Sequence, residues 1–223
     1  MSAKEEQNLF RAVLLWMVGR EERRRRLPGY GDALGQLRRE LADRYVVCDS
    51  ATLETLLPRD HRTELDLSAS KRFIFLEALE RAPMIPVMSV YCNFVSTPSV
   101  VRLRTALFLL TPNDLGHKVQ AVGYRFETPE GPQGRHSYHH AQPIRAFDAA
   151  GSELPGAQSW LPTTDPTFAL DADNPISLIF CMLVSLYGAD YMKSMVGLKL
   201  IPRLRQYLDG TGLPSLRARR DAT

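Results

Sequence analysis

Two spacings of apolar side chains divide this chain. From about residue 4 to residue 26 they recur every three or four positions. Leu9, Phe10, Val13, Leu14, Trp16 and Met17 share one broad face, which predicts a long amphipathic helix ended by Pro28 and Gly29. A second helix is predicted over 31–44, with Leu34, Leu37 and Leu41 on one stripe. "YVVCDS" is a short extended run, and Asp49 or Ser50 then caps a brief helix that stops before Pro58. A further helix is predicted over 69–82, capped at Ser68 or Ser70 and ended by Pro83 and Pro86.

From about residue 87 the period changes to alternation. "VMSVYCNFV", "VVRLRTALFLL", "KVQAVGYRFE" and "RHSYHHAQPIRAF" read as strands, separated by the turn sequences "STPS", "TPNDLG" and "TPEGPQG". Short connections between successive strands imply an antiparallel meander. Residues 150–174 are rich in Pro, Asp, Thr and Ser, and read as a wrap over the surface or a lid. Asn174 at a cap and Pro175 at the first helical position then open a nearly all-apolar core helix, followed by a last helix at about 190–208 with a break at Gly197 or Pro202.

The expected fold is therefore α+β: N-terminal helices, a three- to four-stranded antiparallel β-meander over about 87–147, and two C-terminal helices packed on the sheet. The expected domain is single and spans 1–215. It has a helical part at 1–83, an extended connection at 150–174 and C-terminal helices at 175–209; a basic disordered tail occupies 216–223.

Composition changes this picture in three places. The apolar run at 9–18 is too short to span a bilayer, is interrupted by Arg11, and lacks the flanks of a secretory signal, so a cytoplasmic, soluble chain with no membrane partner is expected. Cys48, Cys92 and Cys181 are widely spaced with no CxxC pair, which favours reduced, buried thiols over a disulfide framework or zinc ribbon. Cys48, just ahead of a helix start, is placed for a lowered pKa. The 28 basic residues comprise 23 Arg and 5 Lys, a bias that base composition of the gene explains as readily as phosphate binding. The run at 20–26, "REERRRR", pairs Glu21 with Arg25 and Glu22 with Arg26 at i,i+4 and reads as a solvated helix end, with a nucleic-acid contact as the sharper alternative.

Candidate chemistry concentrates in "GRHSYHHAQPI", which holds three of the five histidines. A hairpin centred on Gly131 and Pro132 sets Glu127 opposite His136, Arg125 opposite Tyr138 and Gly123 opposite His140 on a polar face. On the other face it sets Tyr124 opposite His139. Centring the previous turn on Asn113 and Asp114 sets Arg102 opposite Arg125 and Arg104 opposite Gly123. Arg102, Arg104, Arg125, His136, Tyr138 and His140 then share one strand face, with Gly123 as a depression among them and Glu127 at its edge. His139 belongs to the core side. Facing arginines repel unless an anion, a carboxylate or solvent compensates, so this face reads as an anion-binding platform, or as a sheet face covered by Asp165, Asp171 and Asp173.

The strand reading separates the histidines. His136 and His140 share a face but stand roughly 13 Å apart at about 3.3 Å per residue, too far for one zinc ion. No metal or other cofactor is expected. His136 or His140 beside Glu127 remain the weak catalytic candidates, since histidine titrates near neutral pH. No P-loop, GxGxxG, GxSxG or HExxH motif completes a mechanism. The leading expectation is a non-catalytic binding or adaptor protein of a larger assembly, with another protein as its partner and the basic face receiving an anionic ligand or acidic segment. A nucleic-acid or nucleotide binder using the same arginines is the alternative, and a histidine-dependent hydrolase or transferase the second.

Overall fold

The computed structural model describes residues 3–24, 35, 39, 46–57, 64–67, 69–79, 84–95, 99–109, 121–129, 138–144, 168–170, 172, 174–188 and 191. They form a mixed α+β fold in which three helices accompany an open sheet. Helix α1 (Ala3–Arg24) is followed by β1 (Val46–Val47), α2 (Ser50–Leu56), β2 (Glu64–Asp66), β3 (Arg72–Phe75), β4 (Met84–Asn93), β5 (Val100–Leu109), β6 (Ala121–Glu127), β7 (His140–Ile144), β8 (Phe168–Ala169) and α3 (Pro175–Tyr187). The sheet runs β1-β3-β4-β5-β6-β7-β8, and β2 pairs β4 beyond the end of β3. All pairings are antiparallel except β1 with β3.

The sheet is larger than the alternating segments alone predict, and one correction accounts for much of the difference. Residues 69–82, read as a helix, contain β3 instead. Phe73, Ile74, Phe75 and Leu76 are buried in succession. A continuous apolar run in a strand covered on both faces has no alternation to display, so periodicity cannot separate it from a helix. Pro86, read as a helix stop, lies within β4 opposite Leu107, and its carbonyl accepts from Leu76 N at 2.9 Å. The turn before β3 is held by Asp66, whose Oδ1 accepts from Ala69 N at 2.8 Å, and it places Lys71 at φ 52°. The expected helix at 31–44 and the last helix at 190–208 lie almost wholly outside the described residues, as does the tail.

Where caps were legible, local chemistry explains the helices. Asp49 accepts from Thr52 N at 2.7 Å to open α2. Asn174 accepts from Ile176 N and Ser177 N, and Ser177 Oγ accepts in return from Asn174 N at 3.1 Å. This reciprocal box, with Pro175 at the first position, starts the helix that fills the core. Ile176, Leu178, Ile179, Phe180, Met182 and Leu183 of α3 join Phe10, Val13, Leu14 and Met17 of α1 over one face of the sheet, where they meet Ile74, Met88, Val90, Val101, Leu103 and Phe126. Among the described residues no helix is long and apolar enough to cross a membrane.

The described part of the basic end of α1 is tied into the fold through its polar side chains. Glu21 is buried, and Glu22 meets the start of α2: its carboxylate accepts from Ser50 N and Ser50 Oγ, both at 2.7 Å. Arg20 donates through Nε to buried Glu77 at 2.5 Å and lies over the rings of Trp16 and Tyr191. Arg25 and Arg26 lie outside the described residues. Cys48 and Cys92 are buried free thiols, as expected, and at Cys48 burial outweighs the helix start: it raises the thiol pKa against a smaller opposing effect of Arg72.

Candidate functional site

The sheet face turned away from the α1–α3 core is zoned along the strands. In one cross-strand rank Val87, Ala106, Gly123 and Ile144 stand side by side, joined by Phe75, and are buried. The next rank on this face is Ser89, Arg104, Arg125 and Gln142, and the next is Tyr91, Arg102, Glu127 and His140. Asp66 of β2 pairs with Tyr91 at the border of the last rank.

The face assignment made from alternation therefore holds for Arg102, Arg104, Arg125 and His140, but the register does not. Arg102 meets Glu127 and not Arg125, a shift of two residues, and Glu127 meets His140 and not His136, a shift of four. Both shifts are even, so no side chain changes face. The tight turn assumed at Gly131 and Pro132 is the source of the second error: β6 ends at Glu127 and β7 begins only at His140. Gly123 consequently leaves the arginines and joins the apolar rank, where it makes no depression among them. His136 lies outside the described residues, as do Asp165, Asp171 and Asp173.

The largest change concerns Glu127. Placed at the edge by sequence, it is the centre of the cluster and only 2% exposed. Arg102 donates through Nε to its Oε1. Arg125 Nε lies 2.7 Å from Oε2, and His140 Nε2 lies 3.4 Å from the same oxygen. Gln142, directly opposite on β7, also meets Arg125: with its carboxamide oxygen turned towards the guanidinium it accepts from Arg125 Nε at 3.2 Å and from Nη2. Arg102 also lies over the Tyr91 ring, 5.9 Å from its centroid. Both arginines keep partial access to solvent, with 36% and 23% of their side-chain surfaces exposed.

Arg104 sits between these two. Burial is the main influence on it, followed by the positive charges of Arg102 and Arg125, and together they hold its guanidinium below the ordinary arginine range. Glu127 and Asp66 oppose this. The cluster thus concentrates three guanidiniums on two adjacent strands around one buried carboxylate.

His140 is fully buried, with Nδ1 3.1 Å from the Tyr138 carbonyl oxygen. Tyr138 is 43% exposed and sets its ring edge-on to the imidazole, with centroids 6.0 Å apart. His139 is buried, and its carbonyl accepts from Leu170 N at 2.9 Å, bringing the end of the 150–174 connection against β7. Among the described residues no three His, Cys, Asp or Glu side chains are grouped as metal ligands.

Sequence reasoning missed Gln142, Tyr91 and Asp66. Gln142 follows His140 at i+2 and was available from alternation alone. Tyr91 lies on a strand that alternation predicts but to which no register was assigned, and Asp66 lies on β2, which was not expected. Comparisons of the chain with protein-family models, curated proteins and solved structures find no match.

Proposed function

We propose that this chain is a non-catalytic binding or adaptor protein whose arginine-bearing strand face receives an oxyanion, carried by a small ligand or by an acidic segment of a partner. The observation that carries this reading is the direct cross-strand opposition of Arg104 and Arg125 beside Arg102, with one buried carboxylate among them. Facing guanidiniums are costly in a sheet, and a bound oxyanion offsets that cost through charge-assisted, often bidentate hydrogen bonds. Glu127 holds Arg102 through Nε, and 36% of the Arg102 side-chain surface stays exposed.

The small extent of the cluster favours a compact anion over a nucleic-acid backbone. Among the described residues its basic positions occupy two ranks, and the next rank on the same face is buried and apolar. A histidine-dependent enzyme is disfavoured by the inward setting of His140, whose ring is fully buried against Glu127.

Calorimetric titration with inorganic phosphate, and separately with a single-stranded oligonucleotide, tests the reading. Saturable phosphate binding that Arg104→Gln weakens at least tenfold is the expected outcome. An oligonucleotide affinity whose salt slope reports six or more phosphate contacts would favour the nucleic-acid alternative instead. Absence of any anion binding overturns the proposal.

A further inference from the structure

Tyrosines flank the arginines on the strand face. One cross-strand rank runs from Tyr91 of β4 through Arg102 of β5 and Glu127 of β6 to His140 of β7. Four strands set about 4.8 Å apart make this rank roughly 14 Å wide. Glu127 and His140 are buried within it, whereas Tyr91 and Arg102 are partly exposed. Tyr138, two residues before His140, adjoins the β7 end, with its ring against the imidazole. Among the described residues Val46, Val95 and Tyr138 are the large apolar side chains left exposed, and the ring of Tyr138 meets the charged cluster.

A small oxyanion engages the arginines alone, whereas a chain segment crossing the strands also covers the two tyrosines. Tyrosine and arginine together carry much of the binding energy in protein interfaces. The ring supplies contact area at a small cost in side-chain freedom, and the guanidinium supplies directional donors for a carboxylate.

We infer that the rank from Tyr91 to Tyr138 docks an acidic segment of a partner protein, with an aspartate or glutamate carboxylate at Arg102 and Arg104 and an apolar or aromatic side chain against Tyr138. This rests on the anion-binding reading above and names the carrier of the oxyanion. Charge complementarity favours that occupant. Arg104 is crowded by the positive charges of Arg102 and Arg125, and a carboxylate brought among these guanidiniums relieves the crowding. Glu127 shows the same mode within the chain, since its two oxygens bridge Arg102 and Arg125. A polynucleotide repeats its charge at every residue, whereas the basic side chains described on this face are confined to β5 and β6, with Tyr91 and Tyr138 outside them. A protein segment matches that pattern when it is acidic at its centre and apolar at its ends.

Titration calorimetry on the full chain tests this with four probes. They are inorganic phosphate, an acetylated and amidated peptide of three glutamates between two phenylalanines, the same peptide with alanine in place of phenylalanine, and a short oligothymidylate. The phenylalanine peptide is expected to bind about tenfold more tightly than either phosphate or the alanine peptide. Tyr138→Ala, a change at an exposed side chain, is expected to remove most of the difference between the two peptides. Equal affinity for the two peptides, or a difference that Tyr138→Ala leaves intact, overturns the inference, and phosphate binding in the same experiments leaves the anion site standing. Tighter binding of the oligothymidylate than of the phenylalanine peptide assigns the rank to nucleic acid and overturns it as well. Binding of neither phosphate nor peptide removes both readings.

Discussion

Arg104 of β5 stands directly opposite Arg125 of β6, yet the two arginines have different surroundings. Arg125 is held by both Glu127 and Gln142. Arg104 is half-buried between two like charges, which together with burial depress its pKa.

The two positions should therefore respond in opposite directions to the same substitution. Arg104→Gln removes like-charge repulsion and is expected to leave stability unchanged or raise it by about 0.5 kcal/mol. Arg125→Gln strips a cation from a buried carboxylate and is expected to cost about 2 kcal/mol, a fall in Tm of several degrees for a chain of this size. Thermal and urea unfolding of the two variants, measured side by side, checks the contrast. Equal destabilisation would show that Arg104 is as firmly built into the sheet as Arg125.

Glu127 supports the whole cluster, and neutralising it without changing its shape isolates its charge. Glu127→Gln leaves Arg102, Arg104, Arg125 and His140 with no central carboxylate, and the expected loss is about 3 kcal/mol, tempered by the partial exposure of Arg102 and Arg125. Because the defect is uncompensated positive charge, high sulfate should recover more stability in this variant than an equal ionic strength of sodium chloride does. Denaturant midpoints in the two salts provide the measurement, and identical recovery would count against an electrostatic defect.

Which residues share the site's face was legible from the sequence; which residue meets which was not. Alternation fixes side-chain facing with a period of two, so register shifts of two between β5 and β6 and of four between β6 and β7 left Arg102, Arg104, Arg125 and His140 together. The position of Glu127 depended on loop length, and nothing in "TPEGPQG" revealed that β7 would begin as late as His140. The strand at Phe73–Phe75 was illegible for a different reason, since burial on both faces erases the alternation that marks a strand. Helix starts were the most readable features. The bonds that define them at Asp49 and Asn174 run only two or three residues along the chain and need no knowledge of tertiary structure.

That locality gives the α3 cap a predictable energetic role. Asn174→Ala removes the side-chain acceptor for Ile176 N and Ser177 N, and leaves only the backbone half of the box, the bond from residue 174 N to Ser177 Oγ. The expected cost is about 1–2 kcal/mol. Since α3 carries much of the core, the loss should appear as a shift of the single global transition and not as fraying of one helix. Asn174→Asp, which keeps the acceptor, should restore most of it, as followed by circular dichroism during chemical unfolding.

Cys92 on β4 sets an alkaline limit to the fold. It is fully buried, and burial, reinforced by Glu64 and Asp66 and offset in part by a backbone bond from Leu65, pushes its thiol up to about 12. In the unfolded chain the same thiol ionises near 8.5. The folded state thus holds this proton more tightly than the unfolded state, so the contribution is fully present below about pH 8.5 and is lost as pH rises towards 12. Cys48, whose pKa is also raised by burial, adds a slope of the same sign. Stability measured by urea unfolding between pH 7 and pH 10 should accordingly fall on the alkaline side. Cys92→Ala, at the cost of a small cavity, should flatten that fall. A thiol reagent at pH 8 should label Cys92 only at the rate of unfolding; rapid labelling of the native protein would contradict the burial that raises its pKa.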